Sequence, residues 1–325
     1  MYKIELRTPN LGISNFSFNR IVKSVYQLAN CAFFAAYDKD YKDLSTIKQA
    51  LKKDMDVTVL IDDELALTGY VAAVDCGYMN KKPSLSVKVN TYAGRMVKAS
   101  VGKGFYFTRQ KAADIVSQLV SGYPVEFVNQ SANDVVLPAF VVSATDKIEK
   151  VINRLARLSD TLIYSDDTGR LVMTDKCRDK YTASALITGE NIIDIYKNDN
   201  VYKAFETVTL HSQLPLADAY SLDNIISSPV SGKSQGSGRQ YHQTVDIASQ
   251  SRLNAAISEL EYDCYDLKVT GSSFRTTDDK LYQLNSALKI KDPWIELNDS
   301  FLITDVDLTS GQNGCRAELN LEKMA

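Results

Sequence analysis

The stretch Asp56-Val57-Thr58-Val59-Leu60-Ile61-Asp62-Asp63, with Leu67-Thr68-Gly69-Tyr70-Val71 just after it, decides the fold class of this chain. Val57, Val59 and Ile61 alternate toward an acidic turn, Leu65 to Val74 runs extended, and Ser84 to Asn90 puts Leu85, Val87 and Val89 on one face. A period of two across three consecutive segments predicts half-buried antiparallel strands. The pattern returns at the far end of the chain. There Leu288 and Ile290 alternate toward Asp292-Pro293, Phe301 to Val306 follows, and Arg316 to Glu322 points Ala317, Leu319 and Leu321 one way. Two readings are open: one β module duplicated within the chain, or two meanders that share only alternation and Gly/Asp turns.

At 325 residues and 45% hydrophobic content, the chain exceeds one usual core and predicts two or three domains. The net charge of −3 is spread out, and the densest basic cluster, Lys48, Lys52 and Lys53, sits beside Asp54 and Asp56. No basic stripe marks a nucleic-acid footprint, so no specific nucleic-acid binding is expected. Met1-Tyr2-Lys3-Ile4-Glu5 lacks an apolar signal region, and Cys31 to Tyr37 and Val135 to Val142 are too short to cross a bilayer. The expectation is a protein made in a cytoplasm that leaves it only by lysis, with no membrane insertion. Cysteines at 31, 76, 177, 264 and 315 form no close pair and read as buried free thiols. With His211 and His242 as the whole histidine supply, no metal site and no cofactor are expected.

The composition between the two meanders divides the chain. Residues 1–104 read as a first β domain, with apolar runs at Asn19 to Val25 and Ala32 to Tyr37 and a short helix at Leu44 to Leu51. Residues 105–188 read as α+β. One helix there carries Ala112, Ile115, Val116 and Leu119 behind an N-cap at Thr108 and stops at Gly122 and Pro124. A second, with Asp146 and Glu149 as a capping pair, carries Ile148, Val151, Ile152, Leu155 and Ala156. Strand-like Val125 to Val128 and Ala139 to Val142, and a hairpin of Thr161 to Ser165 and Arg170 to Thr174 about Asp166-Asp167-Thr168-Gly169, complete it. Residues 189–325 return to β, with a polar, mobile loop over 227–238 and a helix over 249–264 carrying Leu253, Ala256, Ile257, Leu260 and Cys264. The fold class is α+β, predominantly β.

Chemistry-bearing motifs are sparse. Gly232-Lys233-Ser234-Gln235-Gly236 matches the G-x-S-x-G nucleophile elbow in letters, with His242 nearby. That motif needs a strained strand-to-helix turn above a parallel sheet, and its Ser/Pro/Gly flanks provide none. Gly232-Lys233-Ser234 lacks the glycine a phosphate loop requires where Ser227 stands. Asp62-Asp63, Asp166-Asp167 and Asp278-Asp279 all fall at turns, where aspartate bonds local amides, and Arg154 and Arg157 read as solvated. No catalytic, cofactor-binding or metal-binding residue is assigned, and no enzyme is expected. Tyr196, Tyr202, Tyr220, Tyr241, Tyr262 and Tyr282 flank loops or strand ends, a weak pointer to a subunit interface.

The succession of elements resembles the baseplate hub proteins of Mu-type contractile-tailed bacteriophages, related to the N-terminal part of type VI secretion spike proteins. Four stretches carry the likeness. Asp56 to Asp63 with Leu67 to Val71 looks like the family's acidic turn and "T-G-x-V" strand. Asn90-Thr91-Tyr92-Ala93-Gly94-Arg95-Met96-Val97-Lys98-Ala99-Ser100 takes the place of "R-S-x-x-x-D-L-V-D-x-S", with the leading Arg and both Asp replaced. Ile187 to Ile193 is similar to the "G-E-N-V-L" entry, and Thr207 to Gln213 stands where the family has "V-x-G-Q". Phe301 to Leu308, a Gly turn and Ala317 to Leu321 look like the closing "L-I-x-x-V" hairpin.

The resemblance implies a structural baseplate hub. Its form would be a homotrimeric ring with two barrel domains per protomer, six like units in pseudo-sixfold array about a channel through which the genome can pass. Its implied partners are itself, a trimeric central spike and the tail tube or other baseplate proteins; its implied location is the virion tail, after assembly in the host cytoplasm. A phage-derived injection or secretion particle and, in another class, a hydrolase acting on cell-wall material are the alternatives.

Overall fold

A computed structural model describes residues 2–9, 11–14, 16–37, 41–79, 81–133, 135–177, 184–199, 205–212, 230–233, 238–245, 253, 256–257, 260, 265–312 and 314–324. The first part of the chain runs β1 (Ile4–Arg7), β2 (Gly12–Ile13), β3 (Phe18–Ser24), β4 (Cys31–Ala36), α1 (Tyr41–Ala50), β5 (Asp56–Ile61), β6 (Glu64–Met79) and β7 (Lys82–Asn90). The middle part holds β8 (Phe105–Lys111), α2 (Ala112–Val120), β9 (Phe127–Asn129), β10 (Val136–Val142), α3 (Ile148–Ser159), β11 (Leu162–Ser165) and β12 (Leu171–Thr174). The last part holds β13 (Ala185–Ile187), β14 (Ile192–Asp199), β15 (Thr207–Ser212), β16 (Val230–Lys233), β17 (Gln240–Val245), β18 (Tyr265–Gly271), β19 (Ala287–Asp292), β20 (Leu297–Gly311) and β21 (Gly314–Lys323).

Both meanders form where the alternation places them, as β5-β6-β7 and β19-β20-β21. They belong to one 13-stranded sheet, ordered β14-β18-β21-β20-β3-β4-β7-β6-β5-β1-β2, with β13 beside β19 and β19 beside β20. Among the described residues no pairing closes this sheet on itself. The fold is α+β and predominantly β. Leu85, Val87 and Val89 of β7 and Ala317, Leu319 and Leu321 of β21 all point into one apolar core that runs under both halves of the sheet. Burial of alternate positions is what fixes the register, because a one-residue slip would turn each apolar row to water.

Turn chemistry pins the first meander. Asp62 and Asp63 sit at φ 48° and 64°, the left-handed pair that a two-residue hairpin of correct twist needs. At Gly69 the β6 backbone passes so close to β7 that a Cβ would lie 1.9 Å from the Asn90 carbonyl oxygen. The glycine of the Thr68-Gly69 motif is therefore a packing requirement.

In the middle part, α2 presents Ala112, Ile115, Val116 and Leu119, and α3 presents Ile148, Val151, Ile152 and Leu155, to a core that includes Phe107 and Phe140 of the β8–β10 hairpin. Three local expectations are corrected. Thr108 caps no helix: it pairs with Ala139 inside β8, and α2 begins at Ala112 behind Lys111. Asp146 does not cap α3, whose N-cap is Lys147; its carboxylate accepts the Ser143 N–H at 2.8 Å and closes the preceding turn. Arg154 is not simply solvated, since its guanidinium lies 4.4 Å from the Phe140 ring centre and donates to the Val141 carbonyl.

The last part carries a separate small sheet, β16-β15-β17. Of the expected loop over 227–238, Val230–Lys233 is a strand, antiparallel to β15, while residues 227–229 and 234–237 lie outside the described residues. Its small residues fit beneath side chains: a Cβ on Gly232 would stand 2.9 Å from Ile257 and 3.1 Å from Leu253. Leu253, Ala256, Ile257 and Leu260 are helical and pack on Val208 and Leu210; the rest of the expected helix over 249–264, Cys264 included, lies outside the described residues. The described cysteines are free thiols, but Cys76 is exposed where burial was expected, and Cys31, Cys177 and Cys315 are half-buried.

Gly69→Ala is expected to lower stability by about 3 kcal/mol or more, at the upper end of overpacking costs, because the obstacle is backbone. Urea unfolding followed by far-UV circular dichroism checks this, and a midpoint equal to that of the parent chain would contradict the close approach.

Candidate assembly interface

The titratable candidates do not converge. Ser234 lies outside the described residues, and Gly232 and Lys233 belong to β16. His242 on β17 lies across from His211 on β15 with ring nitrogens 3.1 Å apart, and both side chains are exposed. Among the described residues no three His, Cys, Asp or Glu side chains gather as metal ligands. A groove of about 300 Å³ beside the β20–β21 turn is lined by Phe18, Tyr37, Thr309, Gly311, Gln312, Gly314 and Arg316, with one cationic side chain and no carboxylate.

Of the paired carboxylates, Asp166 bonds its own turn, while Asp62 and Asp278 tie their turns to distant segments. Asp62 accepts the Lys3 N–H at 2.8 Å. Asp166 accepts the Arg170 N–H at 2.9 Å and its guanidinium at 2.7 Å, and Asp278 accepts the Ser184 hydroxyl at 2.6 Å. Asp292 behaves likewise in the last meander. The Thr188 hydroxyl and the Ile295 and Trp294 amides hold its carboxyl below the usual range, fixing a turn from which Trp294 projects 89% exposed.

A buried polar seam joins the middle part to the first. The Ser165 hydroxyl of β11 donates to the Leu28 carbonyl at 2.7 Å and accepts from Thr91 at 3.0 Å. Asn30 donates to the Ser165 carbonyl at 2.7 Å and accepts the Ser24 N–H at 3.0 Å. Beside them Lys23, 1% exposed, reaches Asp167 of the β11–β12 turn at 2.6 Å. Sequence reading assigned Asp167 to turn chemistry alone and missed this pairing: alternation puts Lys23 on the buried face with Asn19 and Ile21, but its partner comes from 144 residues away. Arg95, where the family pattern has an aspartate, pairs with Asp54 at 2.5 Å and stacks 4.3 Å from the Tyr70 ring centre.

The two β halves repeat each other pair by pair. Tyr78↔Pro83 and Met79↔Lys82 close β6–β7, and Ser310↔Cys315 and Gly311↔Gly314 close β20–β21, so adding 232 to a first-half number gives its second-half equivalent. The bulge obeys the same rule: Val71↔Val89 and Ala73↔Lys88 skip Ala72, and Ile303↔Leu321 and Asp305↔Asn320 skip Thr304. Further out, β7 takes β4 and then β3, while β21 takes β18 and then β14. On the other side β6 takes β5 and then β1, while β20 takes β19 and then β13. Strand order and neighbours thus coincide; β5–β6 carries a bulge at Val59/Leu60 that β19–β20 lacks, and the outermost pair is antiparallel for β1–β5 and parallel for β13–β19. Duplication, not coincidence, accounts for a shared register and a shared bulge.

The halves join where β3 pairs with the outer half of β20, from Asp305↔Ser24 to Ser310↔Asn19. The equivalent edges have no strand among the described residues: β14 ends the sheet, and β5 reaches along β6 only to Tyr70. Both edges carry exposed apolar side chains, Ile193 and Tyr196 on β14 and Tyr78 on β6. Of the tyrosines singled out from sequence, Tyr196 alone is exposed at an edge. Tyr282 is buried, Tyr241 packs 5.0 Å from Phe205, and Tyr202, Tyr220 and Tyr262 lie outside the described residues.

Residues 93–175 match the family described as "Baseplate hub protein gp44-like, second domain". No curated protein matches the chain. Among solved structures, the 43 kDa tail protein of prophage MuSo2 from Shewanella oneidensis is similar at a TM-score of 0.77 and 16% identity over 98% of this chain and 97% of that one. The tail protein from Neisseria meningitidis MC58 is similar at 0.82 and 16% identity over 99% and 96%. An E. coli type VI secretion component, described as resembling the T4 bacteriophage tail proteins gp27 and gp5, is similar at 0.58 and 11% identity over 98% and 77%. The resemblance to Mu-type hub proteins is thereby borne out: the middle of the chain matches the model of a hub second domain, and the whole chain shares its fold with tail proteins.

Asp167→Ala strands the buried Lys23 ammonium and is expected to cost about 3 kcal/mol, the lower end for a broken buried pair since Asp167 is part exposed. Adding Lys23→Met is expected to recover most of that loss. Denaturant melts of the two variants check the coupling, and equal stability of the single and double variants would contradict it.

Proposed function

We propose that this chain, a relative of the Mu-type baseplate hubs, is the structural hub of a contractile tail. In this reading three copies form a ring whose six β modules, barrel-like in the assembled wall, give a pseudo-sixfold collar around a channel. The collar joins a trimeric central spike on one side to the tail tube or other baseplate proteins on the other. The observation that carries this reading is the duplicated strand order with its constant register. A threefold spike and a sixfold tube share no interface unless an intermediate piece presents both symmetries, and an internal repeat in a trimer does so. The hub-type second domain at 93–175 supports the same assignment.

In this reading residues 1–104 and 189–325 supply the ring modules and 105–188 the domain set upon them, with Ala93 and Met96 packing into the middle core and β13 lent to the second module. The protein resides in the virion tail after assembly in the host cytoplasm, or in a phage-derived injection or secretion particle built on the same plan. Turnover has no part in this role; the carboxylates Asp62, Asp166, Asp167 and Asp278 hold turns and join segments.

Multi-angle light scattering of the purified chain is expected to give three times the 36.1 kDa protomer mass. A monomer at every concentration would overturn the ring. Particles carrying Ser234→Ala with His242→Ala are expected to keep full infectivity, and a loss of tenfold or more with normal particle yield would favour the hydrolase instead.

A further inference from the structure

The ring leaves open how one protomer meets the next, and the internal junction supplies the answer. β3 is the third strand of its module and β20 the last but one of the other; their equivalents are β14 and β6. We infer that β14 of one copy pairs antiparallel with the outer half of β6 in the next copy, in the register that β3 keeps with β20. This rests on the ring reading and assigns its contact edges.

The register can be written down. The bulge rule equates Asp307, Leu308, Thr309 and Ser310 with Asp75, Cys76, Gly77 and Tyr78. The β18–β21 and β4–β7 pairings equate Leu267 with Ala32, and through β14–β18 and β3–β4 they equate Ile195, Tyr196, Lys197 and Asn198 with Asn19, Arg20, Ile21 and Val22. Carrying Asp307↔Val22, Leu308↔Ile21, Thr309↔Arg20 and Ser310↔Asn19 across gives Asp75↔Asn198, Cys76↔Lys197, Gly77↔Tyr196 and Tyr78↔Ile195. The bulge at Ile193 lies outside this span.

Exposure fits the missing neighbour. Val306 and Leu308 are 0% and 2% exposed beneath the internal junction, whereas their equivalents Val74 and Cys76 are half-buried and exposed. Ile195 already leans on the core, so β14 has a defined inner face to offer. The outer face complements too. Arg20 donates to Asp307 at 2.6 Å across the internal junction; at the open edges Asp75 holds the place of Asp307, and Tyr196, with a hydroxyl donor, that of Arg20. Tyr196 also falls opposite Gly77, whose missing side chain leaves room for the ring. Adding a strand to an open edge satisfies a row of backbone groups at once, and repeating one head-to-tail contact closes a ring when the rotation allows.

The native thiol of Cys76 makes the register testable. Directly opposed residues of an antiparallel pair have Cβ atoms about 4.5–5.5 Å apart, within reach of a disulfide after small adjustment. Lys197→Cys under mild oxidation is expected to give disulfide-linked dimers and trimers on a non-reducing gel, none larger, and none after Cys76→Ser is added. Asn198→Cys, one residue along and on the opposite face, is expected to give none. A chain that stays trimeric by light scattering yet forms no link through Lys197→Cys, or links equally through Asn198→Cys, overturns this pairing and leaves the ring standing. Linked species larger than three overturn closure, and a monomer overturns both readings.

Discussion

The pairing of β3 with β20 is the contact on which the rest of this structure depends. A sheet edge exposes a row of unpaired amides and carbonyls, and proteins cover, distort or pair such edges. Here one module's edge strand serves as the other's missing neighbour, which fuses a seven-strand and a six-strand unit into one sheet and buries Ile21, Val306 and Leu308 beneath the junction. Arg20 and Asp307 clamp its outer face. Because the modules are equivalent, the other pair of edges, which has no strand among the described residues, is where the proposed ring would supply one.

The middle domain is fixed to this scaffold by chemistry of a different kind. Ser165, Asn30 and Thr91 exchange donors and acceptors with backbone groups in a seam that excludes water, where an unpaired group would cost far more than a paired one gains. Such networks specify one docking geometry better than apolar packing does. Lys23 adds to this specificity: its neighbours on β3 pair with the second module while its ammonium reaches the middle domain. One short strand therefore couples all three parts of the chain.

Much of the fold was legible in the residues because it rests on local patterns. Alternation at Val57, Val59 and Ile61 and at Leu85, Val87 and Val89 gave the strands, and the spacing of Ile148, Val151, Ile152 and Leu155 gave α3. Helix starts were less legible, since Thr108 and Asp146 have capping side chains but are used by a strand pair and by a turn. The strand in the Ser/Gly-rich segment was illegible because its pairing with β15 and the side chains above Gly232 come from distant sequence. The interface was the least legible feature. Cys76, Gly77 and Tyr78 look like an ordinary strand end, and only the matching of pairs in two halves, with burial of Leu308 against exposure of Cys76, sets them apart. Tyrosine count pointed toward an interface without locating it.

In the proposed ring, joining a threefold partner to a sixfold one is a problem of symmetry, which a duplicated β module would solve with backbone hydrogen bonding that tolerates wide change in side chains. That tolerance fits a fold shared at 16% identity across nearly the whole length of two tail proteins. The most direct test is a cryo-electron microscopy reconstruction of the assembled protein without imposed symmetry. The account predicts three copies around a bore, the two modules of each chain related by about a sixth of a turn, and β14 hydrogen-bonded to β6 of the adjacent copy. Modules set at some other angle, or a β14 edge facing solvent in the closed assembly, would contradict it.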